Sequence, residues 1–257
     1  MQISDTSNSS DSNFFVVAHE PGAEHPALPT WANRHSNPAQ LDTIPPKNIS
    51  AQPVENVPGA FHLQGLLSVD ECRRFVALTE KLGYLPDAAV SLPRSVRHND
   101  NVTWVIDLDS VEIIWQRCRN AFSKLNDPHI DKPAVGLNAR LRFYRYQEGD
   151  FFAPHTDGAW FGSAVTNGQL ETDAFGDRYS QYSLVLFLTD DFSGGRTEFY
   201  VNSNDDAFGR VSVPVSTSVG SAICFPHGGH PWHCAHSSEP ITNGTKYIIR
   251  TDVLFAL

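Results

Sequence analysis

The segment GLNARLRFYRY at 136–146 alternates apolar and polar side chains along its whole length. A period of two is typical of a β-strand that buries one of its faces. One face would carry Leu137, Ala139, Leu141 and Phe143; the other would carry Asn138, Arg140, Arg142, Tyr144 and Tyr146. The second face has two interpretations. It is either solvated or it lines the cavity of a jelly roll, where cations and phenols would hold an acid.

Several short apolar segments with Gly-rich turns follow this strand, and two amphipathic helices precede it. The helix predicted at 68–84 begins with a capping box formed by Ser68 and Glu71, and a second helix is predicted at 109–125 with Asp109 as its cap. Further strands are predicted at 183–191, 193–201, 211–217, 221–226 and 245–255. This order favours an α+β fold in which helices pack on one sheet of a barrel or jelly roll.

The first 55 residues differ from the rest in composition, being rich in Ser, Asn, Pro and Ala without a sustained period. We predict a flexible or loosely packed N-terminal extension at 1–55 and one folded domain at 56–257. Within the extension, FFVVAH at 14–19 fits either a short strand or a docking segment.

The charge and hydropathy of the chain exclude several classes of partner. The formal net charge is −10, and no run of Lys and Arg is present, so we expect no nucleic-acid partner. No apolar stretch approaches the length of a membrane span, so we expect no membrane partner. The sequence shows no secretion signal, and its four cysteines lack paired spacing; we therefore expect a cytoplasmic protein with reduced thiols.

His155 and Asp157 form an H-x-D pair within RYQEGDFFAPHTDGAWF at 145–161. In an extended segment, alternate side chains share a face, so these two can converge on one small ion. With a second histidine they would form the two-histidine, one-carboxylate triad of non-haem Fe(II) oxygenases. Taken alone, the pair is equally compatible with an ordinary surface loop.

A histidine-rich stretch, HGGHPWHCAH at 227–236, holds four of the eleven histidines. A helical zinc array is disfavoured, because Gly228, Gly229 and Pro231 would break a helix. A tetrahedral zinc site that includes Cys234 stays open, since such sites accept cysteine and histidine.

Four segments of the chain resemble the prolyl 4-hydroxylase-like branch of the Fe(II)/2-oxoglutarate dioxygenases. They are LRFYRYQEGDFFAPHTDG, LVLFLTDDFSGGRTEFY, VGSAICFPHG and HSSEPITNGTKYIIRTDVLF, and the likeness extends over roughly 57–255. The resemblance implies a double-stranded β-helix, or jelly roll, with N-terminal helices packed on the major sheet. It also implies that His155, Asp157 and His236 are the iron ligands.

The same resemblance assigns the 2-oxoglutarate contacts. Lys246, ten residues after His236, matches the lysine that binds the far carboxylate, and Tyr146 matches a tyrosine that shares this carboxylate. Ser183 falls where relatives carry a small hydroxyl residue near the cosubstrate. Arg250 is an alternative anchor, because a guanidinium can bind a carboxylate bidentately; it could instead form a structural pair with an acid such as Asp252.

The implied activity is hydroxylation of an unactivated C–H bond, with release of succinate and CO2. Fe(II), 2-oxoglutarate and O2 would be required, with ascorbate as a candidate supporting reductant, and the substrate would be a protein prolyl or other side chain or a small molecule. Two other functions are compatible with the residues: a non-catalytic jelly-roll binding module and a cofactor-free metalloenzyme of the cupin type. The long segment at 158–181, with Trp160 and Phe161, is a candidate lid, and 88–104 is a candidate substrate wall.

Overall fold

The computed structural model describes residues 13–89, 92–202 and 210–257. Its helices are α1 (Val69–Leu82) and α2 (Leu108–Phe122). Its strands are β1 (Phe14–Glu20), β2 (Leu28–Asn33), β3 (Ser50–Pro53), β4 (Phe61–Gln64), β5 (Arg97–His98), β6 (Asp100–Val105), β7 (Ala134–Leu137), β8 (Arg140–Tyr146), β9 (Phe151–His155), β10 (Ala164–Thr166), β11 (Gln169–Glu171), β12 (Arg178–Phe187), β13 (Ser193–Gly194), β14 (Thr197–Asn202), β15 (Arg210–Val215), β16 (Ala222–Pro226), β17 (Ala235–Ser238), β18 (Ile241–Asn243) and β19 (Lys246–Ala256).

Two sheets dominate the described chain. The major sheet has ten strands, ordered β1-β2-β6-β8-β19-β12-β16-β4-β3, with β7 paired to β19. The minor sheet has the order β15-β14-β17-β9-β5. Strands next to each other in a sheet are mostly distant in sequence, as the double-stranded β-helix requires, so the predicted jelly roll is confirmed.

The helices and the major sheet share one hydrophobic cluster. Phe75 of α1 and Ile114 of α2 belong to it, together with Trp104 and Phe143 from the major sheet. Trp104 and Phe143 stack with their ring centroids 5.8 Å apart, and Phe75 contacts both. A second cluster, with Phe199 of the minor sheet and Phe225 of the major sheet, fills the space between the sheets.

The second face of β8 is buried rather than solvated. Its four inward side chains, Arg140, Arg142, Tyr144 and Tyr146, are all less than one-tenth exposed. Of the two interpretations left open by the sequence, the solvated face is therefore wrong. Cationic and phenolic side chains line the interior between the two sheets.

Helix α1 begins as predicted, with the Ser68 side chain accepting from the Glu71 amide and Glu71 accepting from the Ser68 amide. Helix α2 begins earlier than predicted, because its N-cap is Asp107 rather than Asp109. The Asp107 carboxylate accepts from the Ser110 amide, and Asp109 lies in the first turn. In the described chain, no helix is long and apolar enough to cross a membrane.

Much of the expected N-terminal extension is integrated into the major sheet. Strands β1 and β2 form one edge of that sheet, β2 pairing in parallel with β6, and β3 forms the opposite edge by pairing with β4. The expectation of a loose segment is therefore wrong for residues 13–55, whereas residues 1–12 lie outside the described chain. The division into an extension and a domain at residue 55 stays a prediction.

Long-range hydrogen bonds of polar side chains, together with buried apolar residues such as Phe14 and Leu41, fix this N-terminal segment. The Asn33 side chain accepts from Trp104 Nε1 at 2.9 Å and donates to Asp107 at 2.9 Å. The Asp87 carboxylate accepts from backbone amides of the turn at 23–25. Such long-range bonds leave no periodicity in the sequence, which is why the composition of 1–55 was misleading.

A buried ion pair joins both helices to the N-terminal segment. Arg117 donates to both carboxylate oxygens of Glu71, at 2.7 and 3.0 Å, and to the Asp42 carbonyl. Glu71 also accepts from the Asp42 amide. Burial alone would raise the pKa of Glu71, but its hydrogen bonds, first that from Arg117, lower the pKa to about 2.

Replacing Glu71 by Ala should lower the free energy of unfolding by about 3–5 kcal/mol, because Arg117 would be left buried without a counter-charge. The matched control is Asp70→Ala, which removes an exposed pair with Arg73 and should cost no more than about 1 kcal/mol. Equilibrium unfolding in urea measures both. Equal losses for the two variants would contradict the role assigned to the buried pair.

Candidate metal centre

The pairing of β9 with β17 brings two histidines face to face. In this antiparallel pair, His155 lies directly opposite His236. Directly opposed residues of neighbouring strands have their side chains on the same face of the sheet. The two imidazole rings accordingly lie with their centroids 4.3 Å apart.

Asp157 completes the group just beyond the end of β9. Its Oδ1 lies 3.8 Å from His155 Nε2, and its Oδ2 lies 3.8 Å from His236 Nε2. The ligand atoms of the three residues lie within 4.8 Å of one another, and no other cluster of this kind occurs in the described chain. The structure therefore brings together the three residues that the sequence predicted as metal ligands.

Both imidazoles are held in the neutral form. Burial, with a contribution from His236, lowers the pKa of His155 to about 4, and burial lowers that of His236. His155 Nδ1–H donates a hydrogen bond to the Ala153 carbonyl at 2.9 Å, which leaves the Nε2 lone pair directed toward Asp157. Neutral imidazoles beside a carboxylate are a donor set that suits Fe(II) and other first-row divalent metals.

Two side chains hold the Asp157 carboxylate in place. The Ser183 hydroxyl donates to Oδ2 at 2.6 Å, and Arg250 Nε lies 3.1 Å from the same oxygen. Burial alone would raise the pKa of Asp157, but the Arg250 guanidinium, together with the hydrogen bond from Ser183, holds it well below its usual range. The carboxylate is therefore ionised and oriented without a metal.

The backbone of Asp157 is fixed by a glycine. The Gly228 amide donates to the Asp157 carbonyl at 3.0 Å, and Gly228 has φ of 61°. A Cβ at this position would lie 2.6 Å from the Ala159 Cβ. Glycine is thus required both by the left-handed backbone and by the close approach of the loop that carries Asp157.

Arg250, the alternative anchor for a carboxylate ligand, already has two acidic neighbours. Besides Asp157, its Nη2 donates to Asp252 Oδ1 at 3.0 Å. The structural pairing with Asp252 considered from the sequence is therefore present. Its charge is shared between two carboxylates of the protein.

Lys246 has a different environment. It is 1% exposed, and Nζ donates to the Gly195 carbonyl at 2.6 Å and to Ser238 Oγ at 2.9 Å. Within residues 13–89, 92–202 and 210–257, it has no ion pair with a carboxylate. Burial lowers its pKa to about 7.

Tyr146 lies directly opposite Lys246 on the neighbouring strand. The ammonium group lies 5.2 Å from the centroid of the Tyr146 ring. The residues predicted to share a carboxylate therefore contact each other. The Ser183 hydroxyl contacts Asp157, and its place near the cosubstrate stays a prediction.

One pocket of about 440 Å³, part of it open to solvent, is lined by the three candidate ligands together with Lys246 and Arg250. A larger groove of about 2200 Å³ lies between residues 45–63 and the outer side of α2. None of the predicted site residues lines that groove. We therefore assign the chemistry to the smaller pocket.

The remaining histidines of 227–236 have separate roles. His227 is buried and bonds Ser183 Oγ and Ser180 Oγ, each at 2.9 Å, so it supports the Asp157 contact. His230 Nε2 lies 3.2 Å from Asp127, away from the ligand group. Cys234 belongs to no ligand cluster in the described chain, so the structure gives the zinc hypothesis no support.

Sequence reasoning missed the position of His227. Ile223 and Phe225 point into the space between the sheets, and His227 continues their period of two. The alternation at the end of β16 would have indicated an inward side chain.

The segment at 158–181 contains the hairpin β10–β11. The Trp160 indole packs over the Arg142 guanidinium, and Phe161 packs against Tyr179. The function of 158–181 as a lid stays a prediction, as does that of 88–104 as a substrate wall. Residues 90 and 91 lie outside the described chain. Within 88–104, the side chain of Asn101 in β6 is buried and donates a hydrogen bond to the Asn99 carbonyl.

Comparison with known proteins shows a similar fold and a match to one family model. Residues 141–251 match the family described as the 2OG-Fe(II) oxygenase superfamily. A prolyl hydroxylase from Trichoplax adhaerens, solved with a hypoxia inducible factor oxygen degradation domain peptide fragment, is similar in structure. The TM-score is 0.51 at 15% identity, covering 77% of this chain and 84% of that one, which supports a shared fold.

Two further solved structures are similar to the chain. The viral collagen prolyl hydroxylase of Paramecium Bursaria Chlorella virus-1 has a TM-score of 0.49 at 15% identity, covering 77% of this chain and 97% of that one. A Pseudomonas putida prolyl-4-hydroxylase has a TM-score of 0.49 at 17% identity, covering 76% and 91%. No curated protein sequence matches the chain at a significant level.

The buried His227 should make the metal-free protein acid-sensitive. Burial lowers its pKa to about 4, whereas an unfolded histidine has a pKa of about 6.5. Its contribution to stability is complete above pH 6.5 and is lost as the pH falls toward 4, because only the unfolded chain takes up the proton.

Between pH 7 and pH 4.5, the wild type should therefore lose about 2 kcal/mol more unfolding free energy than His227→Gln. Urea unfolding at both pH values measures this difference. Equal losses in the two proteins would show that His227 titrates normally in the folded state.

Proposed function

We infer that this chain, whose residues 141–251 match the model of the 2OG-Fe(II) oxygenase superfamily, is a 2-oxoglutarate-dependent dioxygenase that hydroxylates an unactivated C–H bond. The substrate would be a peptide side chain, prolyl or other, or a small molecule. The observation that carries the proposal is the convergence of His155, Asp157 and His236 in a pocket that also contains the buried Lys246.

The donor set of the pocket fits Fe(II), since two neutral imidazoles and one ionised carboxylate lie within 4.8 Å of one another. His155, Asp157 and His236 would hold the metal. When bound, the metal would supply the chemistry by which O2 oxidises both 2-oxoglutarate, to succinate and CO2, and the substrate C–H bond, to C–OH.

The protein's own contribution is orientation and exclusion of water. Phe152 stacks on His155, with ring centroids 3.5 Å apart, and Ser183 and Arg250 orient the Asp157 carboxylate. Phe225 packs edge-on against His236. Ligands held in this way need little rearrangement when the metal arrives.

Lys246 would bind the far carboxylate of 2-oxoglutarate. A buried ammonium with neutral hydrogen-bond partners is costly to keep charged, and an incoming carboxylate would stabilise it. Arg250 is the weaker alternative, because Asp157 and Asp252 already share its charge. The aromatic ring of Tyr146 would flank the same carboxylate.

The environment of Lys246 also separates the competing functions. A cofactor-free metalloenzyme of the cupin type needs no buried cation in the metal pocket, and neither does a non-catalytic binding module. The lysine in this pocket therefore favours an enzyme with a dicarboxylate cosubstrate. A cytoplasmic location remains a prediction from the sequence.

Replacing any one of His155, Asp157 or His236 by Ala should reduce 2-oxoglutarate-dependent succinate release by at least about 100-fold, because each supplies one metal ligand. His230→Ala is the matched control, since His230 faces Asp127, and this variant should keep most of the activity. Succinate release with an added substrate pool measures turnover. A loss for His230→Ala equal to the other three would overturn the ligand assignment.

Lys246→Met should raise the 2-oxoglutarate concentration at half-maximal rate by at least about 10-fold, which corresponds to about 1.4 kcal/mol. Arg250→Met should raise it less and should weaken metal binding, because Arg250 contacts Asp157. Succinate release against 2-oxoglutarate concentration, with metal affinity measured separately, distinguishes the two. If Arg250→Met has the larger effect on 2-oxoglutarate, Arg250 is the anchor.

A further inference from the structure

A further buried cation, besides Lys246 and Arg250, adjoins the candidate metal centre on the inner face of the major sheet. Arg142 of β8 lies directly opposite Arg250 of β19. Since Arg250 contacts Asp157, Arg142 lies one strand away from a side chain that contacts a candidate metal ligand. The function proposed above gives Arg142 no role.

The guanidinium of Arg142 is incompletely paired. The residue is 4% exposed, and its Nη1 donates to Asp252 Oδ2 at 3.2 Å. Its Nη2 is buried and has no hydrogen-bond partner in the described chain. Asp252 also accepts from Arg250, so a single carboxylate serves two guanidinium groups.

An aromatic ring covers Arg142. The Trp160 ring centroid lies 4.8 Å from the Arg142 Cζ. Trp160 is itself 37% exposed and follows Asp157 by three residues. A stacked indole stabilises a cation less than a carboxylate does. An anion that displaced the Trp160 ring would therefore stabilise the Arg142 guanidinium more than the ring does.

The charges around Arg142 also favour an anion. Arg142 and Arg250 face Asp252 and Asp157. If Asp157 binds a metal ion, its charge no longer balances that of an arginine. Arg142 and Arg250 then share one carboxylate, that of Asp252. Arg140, the next inward arginine on β8, is already paired with Glu20 and does not change this balance.

We propose that Arg142 binds the carboxylate of a small-molecule substrate, which takes the place of the Trp160 indole over the guanidinium. This inference rests on the proposed function and narrows its substrate to an acid. A guanidinium N–H donates a strong, charge-assisted hydrogen bond to a carboxylate, and Arg142 Nη2 has no other partner in the described chain. The carboxylate would then orient the rest of the substrate toward the metal.

The test uses protein loaded with Zn(II), which has no redox chemistry, and saturating 2-oxoglutarate, so that the metal and Lys246 are both occupied. Acetate is titrated as the probe, with acetamide as its uncharged counterpart of the same shape. The indole N–H resonance of Trp160, assigned with Trp160→Phe, reports on the site. Acetate should shift this resonance saturably, and acetamide should not.

Arg142→Met should weaken the acetate response at Trp160 at least about 10-fold. Arg145→Met is the matched control, because Arg145 lies on the same strand and pairs with Glu80 and Asp100 on the other face; it should leave the response unchanged. The comparison of acetate with acetamide in the wild type keeps the test valid even if Arg142→Met does not fold. The blocked tripeptide Ac-Gly-Asp-Gly-NH2 should give a weaker response than acetate.

Failure of Zn(II) and 2-oxoglutarate to bind would contradict the proposed function, and this inference with it. Binding of both without an acetate response at Trp160 would contradict the inference alone, as would equal responses to acetate and acetamide. A tripeptide response as strong as that of acetate would overturn the assignment to a small molecule.

Discussion

The register of β9 against β17 is the constraint on which the candidate site depends. It sets His155 opposite His236 across two antiparallel strands from distant parts of the chain. Because side chains alternate between faces, a slip of one residue would send one imidazole to the other side of the minor sheet. The position of Asp157 follows from the same strand, since it lies two residues beyond His155. The strand register thus brings the three candidate ligands together.

The interior between the sheets carries an unusual amount of charge for a protein core. Arg250 joins Asp157 to Asp252, and Arg142 shares Asp252. Buried charges are costly unless they are paired and hydrogen-bonded. The acids therefore require the arginines, while the pairing of Lys246 and Arg142 is incomplete in the described chain. An incompletely paired buried cation lowers the stability of the folded chain. Its presence is explained if an anionic ligand supplies the missing negative charge.

The main features of the fold could be predicted from local patterns. The capping box at Ser68 predicted the start of α1, and the alternation at 136–146 predicted a strand with one apolar face. The H-x-D spacing and the resemblance predicted the three residues that converge. The order of residues 13–55 could not be predicted, because it depends on hydrogen bonds such as that between Asn33 and Trp104, which are distant in sequence. The sequence also left the anchor open between Lys246 and Arg250, since only the folded chain shows which cation already has acidic neighbours.

The central claim is that His155, Asp157 and His236 bind one ferrous ion beside 2-oxoglutarate. Anaerobic titration of the purified protein with Fe(II) and 2-oxoglutarate, followed by visible absorption, tests it most directly. The account predicts a weak charge-transfer band that requires both components, saturates at one iron per chain, and is absent in His236→Ala. Protein that takes up no iron, or a band of equal strength in His236→Ala, would contradict it.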